Sequence, residues 1–227
     1  MQRFDWRLYA DATFAGLAVL IPIPIVDALF EEFFRRRMPR VIARVRNRAV
    51  SPETLKALGD GDGCTPAGCL LWPFKQLFNL LVKISRKILY FLTIKEATDK
   101  LSYYWHRAFL IDFMLANGYL GDDRPVFVAR AALNRTLTDV ETSPVIQLAQ
   151  QVVGNSHHIL RSLWRVARRK EEDDMLSDQA SLIGRRWSEY SDYWDKLSDR
   201  YRLIYETEHS LWQRAQQEAA ALATEEE

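Results

Sequence analysis

Cys64 and Cys69 have four residues between them, Pro66 and Gly68 included. Two thiolates are half a zinc site at most, and no histidine lies nearby in sequence to complete it. Four readings stay open for the pair: two plain thiols, a disulfide, a metal shared across a dimer, or acylation beside an amphipathic helix. Asp60-Gly61-Asp62-Gly63 opens like a calcium loop, but Leu71 stands where the closing carboxylate of a twelve-residue loop belongs. It reads as a turn. Of the four histidines, His157 and His158 are adjacent and point in two directions, and His209 stands alone. His106 fans out on a helical wheel away from Glu96 and Asp112. No phosphate loop, GxGxxG, GxSxG or HExxH is present. The residues therefore point to no nucleophile with an arranged base, no metal site and no cofactor. The expectation is a non-catalytic protein.

The chemistry that remains is cationic. The whole chain carries a net charge of +1, too little to hold nucleic acid by bulk charge. That total hides an uneven layout. Residues 1–32 carry −3, residues 33–95 carry +10 and residues 96–227 carry −6. Seven arginines fall within fourteen residues without an acid: Arg35, Arg36, Arg37, Arg40, Arg44, Arg46 and Arg48. Phe30, Phe34, Met38, Val41 and Val45 recur among them at helical spacing. Cations interleaved with apolar residues suit an anionic lipid surface, or a solvated face paired with the chain's own acids. Nucleic acid is not expected as a partner, because no aromatic strand motif or helix-turn-helix pattern accompanies the arginines.

Residues 70–95 repeat the theme. Lys75, Asn79, Lys83 and Lys87 step by four, with Arg86 alongside, and Leu, Phe, Ile and Val fill the rest of the wheel. A wide apolar face with a cationic strip fits a helix lying in a membrane interface. It equally fits a central helix whose lysine stems reach outward to water. The candidate lipid-binding residues are Arg35, Arg36, Arg37, Arg40, Arg44, Lys75, Lys83, Arg86 and Lys87.

Helices must position these groups. A hydrophobic content of 48% with 12% aromatic residues supports a packed core. Residues 12–26 hold no charge, but a helix of that length spans about 22 Å, short of a hydrocarbon core of about 30 Å. Three arrangements fit the stretch: a buried core helix, a re-entrant insertion, or half of a membrane hairpin. Pro22 and Pro24 should end a helix running from Arg7 to Leu20, with Ile21–Val26 extended and Asp27 capping the next helix. Pro39 should kink or divide that next helix. Ser51-Pro52 starts a short helix. Residues 96–118 continue helically to Asn117-Gly118. No secretory signal pattern precedes the first helix, so the bulk of the chain is expected on the cytosolic side.

The residues from Gly121 to Pro125 mark a boundary between an apolar, basic half, 1–120, and a soluble helical half, 121–227. In the second half, helices are expected over 126–137 and from Ser143-Pro144 to about Arg169, with an interruption near Gly154. A seam of Leu176, Ala180, Ile183, Trp187, Tyr190, Trp194, Leu197, Tyr201 and Ile204 then alternates steps of four and three. It predicts one long helix over 174–222 with Gly184 its weakest point. Trp187, Tyr190, Trp194 and Tyr201 are the candidate contacts to a protein partner or a second copy.

The apolar helix ending in Ile21-Pro22-Ile23-Pro24-Ile25-Val26-Asp27, followed by an amphipathic helix, resembles EcsC-type and related bacterial membrane-associated helical proteins. The resemblance covers roughly residues 11–34. Those proteins usually carry glycine where this chain has Ile25. The resemblance implies a non-catalytic protein at the cytoplasmic face of the inner membrane. The combined expectation is an all-α bundle of about seven helices. It engages anionic lipid through its first half, peripherally or shallowly inserted, and a protein through its last helices. The alternative is a soluble interaction module with both apolar segments in its own core.

Overall fold

The computed structural model describes residues 4–21, 24–60, 86–121, 124–138, 140, 143–155 and 174–225. Among them the fold is all-α, with eight α-helices and one 3-10 turn. Lys75, Lys83, Cys64, Cys69, His157 and His158 lie outside the described residues.

Helix α1 spans Trp6–Leu17. The Asp5 carboxylate accepts the Arg7 N–H at 2.9 Å and supplies its N-cap. Leu8, Tyr9, Ala12, Thr13, Ala15, Gly16 and Leu17 are all buried, so this helix is enclosed nearly all round. The charge-free stretch is thus a core helix over its first part. The 3-10 turn Ala18–Leu20 ends it, and Ile21 is extended with ψ 116°, the geometry a following proline imposes.

Helix α2 runs Pro24–Val45. It begins earlier than the sequence suggests. Asp27 is therefore inside its first turn and not its cap, while proline, lacking an N–H to waste, suits a helix start. Pro39 sits within the helix without dividing it. Asp11 meets Arg37 and Phe14 meets Phe34, so α2 returns antiparallel to α1. Helix α3, Pro52–Gly59, starts as expected, with Ser51 Oγ accepting the Thr54 N–H at 3.1 Å.

Helix α4, Arg86–Ala116, is the central column. Its buried side chains from Ala97 to Leu115 face α1, α2 and the later helices. It ends at Asn117-Gly118. Gly118 takes φ 72°, and the Tyr119 N–H donates back to the Met114 carbonyl at 3.0 Å. Helix α5 covers Val126–Leu137 and α6 covers Val145–Gly154. The turn at 117–121 does not divide the core, which runs continuously from Leu8 to Tyr205.

The expected long helix is two helices. Helix α7, Asp174–Glu189, and α8, Ser191–Glu225, meet at Tyr190, not at Gly184. The bend lets Trp187 and Trp194 stack across it, ring centroids 4.3 Å apart at 20°. Trp187 packs on Tyr9 and Trp105, and Trp194 on His106 and Phe109.

Candidate interaction surface

The structure sorts the arginine cluster into paired and free members. Arg35 donates to the Gly59 carbonyl at 2.7 Å and pairs with Glu32, and its side chain is only 15% exposed. Arg36 pairs with Glu32 and lies 3.7 Å from Asp60. Burial pushes the Glu32 carboxyl up, but the hydrogen bonds and charges of Arg35 and Arg36 outweigh it and leave its pKa lowered. Arg37 reaches Asp11 at 3.1 Å while remaining half exposed. Arg46 grips buried Asp112 through Nε at 2.5 Å and Nη2 at 2.7 Å. Arg48 donates to the Ala116 carbonyl at 3.4 Å. Arg40 and Arg44 are exposed and have no partner among the described residues. Arg35 is therefore a brace between α2 and α3, not a free lipid ligand. Arg86 and Lys87 open α4.

The aromatic seam points inward. Trp187, Trp194 and Tyr201 are buried, and Tyr201 lies against Phe113 and Tyr119. A ring enclosed by its own chain has no face to give a partner, so the expected contact role of these three is replaced by a core role. Tyr190, at the bend, is partly buried against the same core. Beyond Trp212, α8 is exposed throughout residues 213–222, with Leu211 and Leu222 on that stretch's flank and end, and Leu203 is exposed earlier on the same helix.

Exposed apolar side chains are most closely grouped on α2. Val26, Leu29, Phe30 and Phe33 are 40%, 61%, 37% and 55% exposed. Their spacing of three, one and three puts them on one helix face, and Arg37, Arg40 and Arg44 continue it at steps of four, three and four. The stripe is about 27 Å long at 1.5 Å per residue. It holds no acid. Asp27 accepts its neighbour's N–H at Ala28, Glu31 takes Lys100 at 2.7 Å and the Tyr104 hydroxyl at 2.6 Å, and Glu32 takes Arg35 and Arg36. Helix α4 runs parallel to α2, since Lys100 meets Glu31 and Asp112 meets Arg46. Exposed Leu92 and Lys95, early in α4, therefore sit at the same end of the bundle as Val26.

Inside the bundle is a polar cluster that the sequence conceals. His106 is buried. Its Nδ1 lies 2.6 Å from the Ser102 carbonyl, which can only accept, so Nδ1 carries the proton and Nε2 is an acceptor. The hydroxyls of Tyr193 and Ser143 converge on Nε2 at 2.8 and 3.0 Å. Burial lowers the imidazole pKa to about 4, against a weaker raising effect from the Ser102 hydrogen bond. A serine beside a neutral, oriented imidazole is half of an acyl-transfer site. The start of α6 does not supply the other half. The N–H groups at the start of α6 are already used, Val145 by Ser143 Oγ, Ile146 by the Ser143 carbonyl and Gln147 by the Pro144 carbonyl, so none remains as an oxyanion donor. Ser143 and His106 are also both buried. The cluster ties α4, α6 and α8 together.

A surface cleft of about 830 Å³ follows the α7–α8 bend. Its floor is Phe109, Phe113, Trp187 and Trp194, all buried, so it shows only ring rims. Among the described residues no three His, Cys, Asp or Glu side chains converge as metal ligands, and no helix is long and apolar enough to cross a membrane. No family model, curated protein or solved structure matches this chain.

Proposed function

We propose that this chain is a non-catalytic helical adaptor that docks on an anionic membrane surface through the exposed face of α2. The observation that carries the reading is the composition of that face: four exposed apolar side chains in line with exposed Arg40 and Arg44, which have no partner among the described residues, and no acid in the stripe. The stripe lies along the flank of one helix, an arrangement that suits a helix lying on a lipid plane.

The magnitudes fit reversible attachment. Burying the exposed halves of four large apolar side chains contributes about 1 kcal/mol each. A cation near an anionic leaflet contributes about 1 kcal/mol. The total, about 6 kcal/mol before entropy costs, resembles a single lipid anchor and not a spanning helix. The resemblance of residues 22–27 to EcsC-type proteins points the same way. The uncovered end of α8 is the part we assign to a protein partner or a second copy.

One observation favours the alternative, a self-contained interaction module. Helix α1, the first of the two apolar segments, is covered by the chain itself. Sedimentation with vesicles separates the two readings. Docking on lipid predicts binding to phosphatidylglycerol vesicles that falls with salt, whereas the module predicts none.

A further inference from the structure

The stripe on α2 has a cation that is present but held. Arg37 lies between Phe33 and Arg40 on the docking face, its guanidinium 5.8 Å from the Phe33 ring centroid and 5.7 Å from that of Phe34. Its Nε lies 3.1 Å from Asp11 Oδ2 on α1, whose side chain is 2% exposed. Neither Asp11 oxygen has a hydrogen-bond donor in the remainder of the core. A carboxylate buried with one oblique partner is poorly stabilised in its charged form. Burial raises its pKa, and the charge and hydrogen bond of Arg37 only partly oppose that.

Among the described residues, the charged group acting on Asp11 is Arg37. From α2 the group facing Asp11 is Arg37. On α1, Arg7 lies one turn earlier and is exposed. On α4, Arg107 is held by the Leu58 carbonyl at 2.7 Å and Asp112 by Arg46.

We propose that Asp11 regulates docking: its carboxylate holds Arg37 back from the lipid, and its neutralisation frees Arg37 to join Arg40 and Arg44 on an anionic headgroup. This rests on the α2 docking reading and adds a control to it. Protonating Asp11 removes the counter-charge without moving the helix. Arg37 is half exposed and needs only a side-chain rotation to turn outward. One added cation at the leaflet strengthens binding about fivefold. Because burial raises the Asp11 pKa, its neutralisation sets in above the ordinary carboxylate range as pH falls.

The test is sedimentation of the intact chain with phosphatidylglycerol vesicles, whose charge stays constant from about pH 7.5 to about pH 5. Wild type is expected to bind about fivefold more tightly at the acid end. Asp11→Asn should bind at neutral pH as wild type does in acid, and Arg37→Gln, which takes away the counter-charge of buried Asp11 but leaves an amide that can donate to it, should lose the pH dependence. If wild type binds but Asp11→Asn matches it at neutral pH, the control is overturned and docking stands. If Arg37→Gln keeps the full pH response, the control is likewise overturned. If wild type binds at neither pH, the docking reading itself falls, and the control with it.

Discussion

A Cβ placed on Gly16 would stand 2.4 Å from the Leu101 Cα and 2.9 Å from its backbone nitrogen. Helices α1 and α4 therefore touch backbone to backbone, and only glycine fits between them. One turn away the Trp105 indole N–H donates to Thr13 Oγ1 at 3.0 Å, which locks the same crossing.

Gly16→Ala should accordingly destabilise the fold by about 3 kcal/mol, because backbone and not a flexible side-chain tip must give way. Gly154→Ala is the control. No described residue lies within 4 Å of its Cβ position, and its stability should change by about 0.5 kcal/mol or less. Urea denaturation of both variants checks this. Equal midpoints would mean that the helices are not in contact at Gly16.

Asp112→Ala should cost about 1–3 kcal/mol, since it removes both hydrogen bonds to Arg46, whose guanidinium is partly exposed to water, and opens a buried site between α2 and α4. Arg48→Ala, which removes only a 3.4 Å contact to the Ala116 carbonyl, should change stability by about 0.5 kcal/mol. The difference between their denaturant midpoints is the measurement.

His106 sets a pH dependence. Its pKa is about 4 in the fold and near 6.5 when exposed, so between those values the unfolded chain binds more protons. Stability is then full above about pH 6.5 and declines as pH falls toward 4, by up to about 3 kcal/mol. His106→Gln removes the titrating group. Its denaturation midpoint should fall less than that of wild type across this window. Parallel curves would show that another group carries the acid loss.

Much of the fold was legible because helices announce themselves locally. Ser51-Pro52, Asn117-Gly118 and the 126–137 pattern each reported a boundary through neighbouring residues alone. The break at Tyr190 was not legible. The seam keeps its period across the bend, and what bends it is the packing of Trp187 and Trp194 on rings from α1 and α4. Polar partners were hidden for the same reason. Asp112 lies 66 residues from Arg46, and His106 lies 37 from Ser143 and 87 from Tyr193. No spacing rule reaches that far. The arginine cluster reads as one patch in sequence, yet the fold pairs five of its members and, among the described residues, gives Arg40 and Arg44 no partner. The exposed face of α2 was half visible: its cations stood out, whereas Val26, Leu29 and Phe33 could not be told from core residues until α1 and α4 were seen to pack on the helix's other side.

The central claim is tested most directly by sedimentation with phosphatidylglycerol and phosphatidylcholine vesicles at low salt. The wild-type chain should bind the anionic vesicles and not the neutral ones. Leu29→Ser with Phe33→Ser, and separately Arg40→Glu with Arg44→Glu, should each weaken binding by about tenfold or more while leaving the unfolding midpoint within about 0.5 kcal/mol of wild type. Wild type that stays in the supernatant with both lipids, or that pellets with the anionic vesicles as fully after both pairs of changes, would contradict the account.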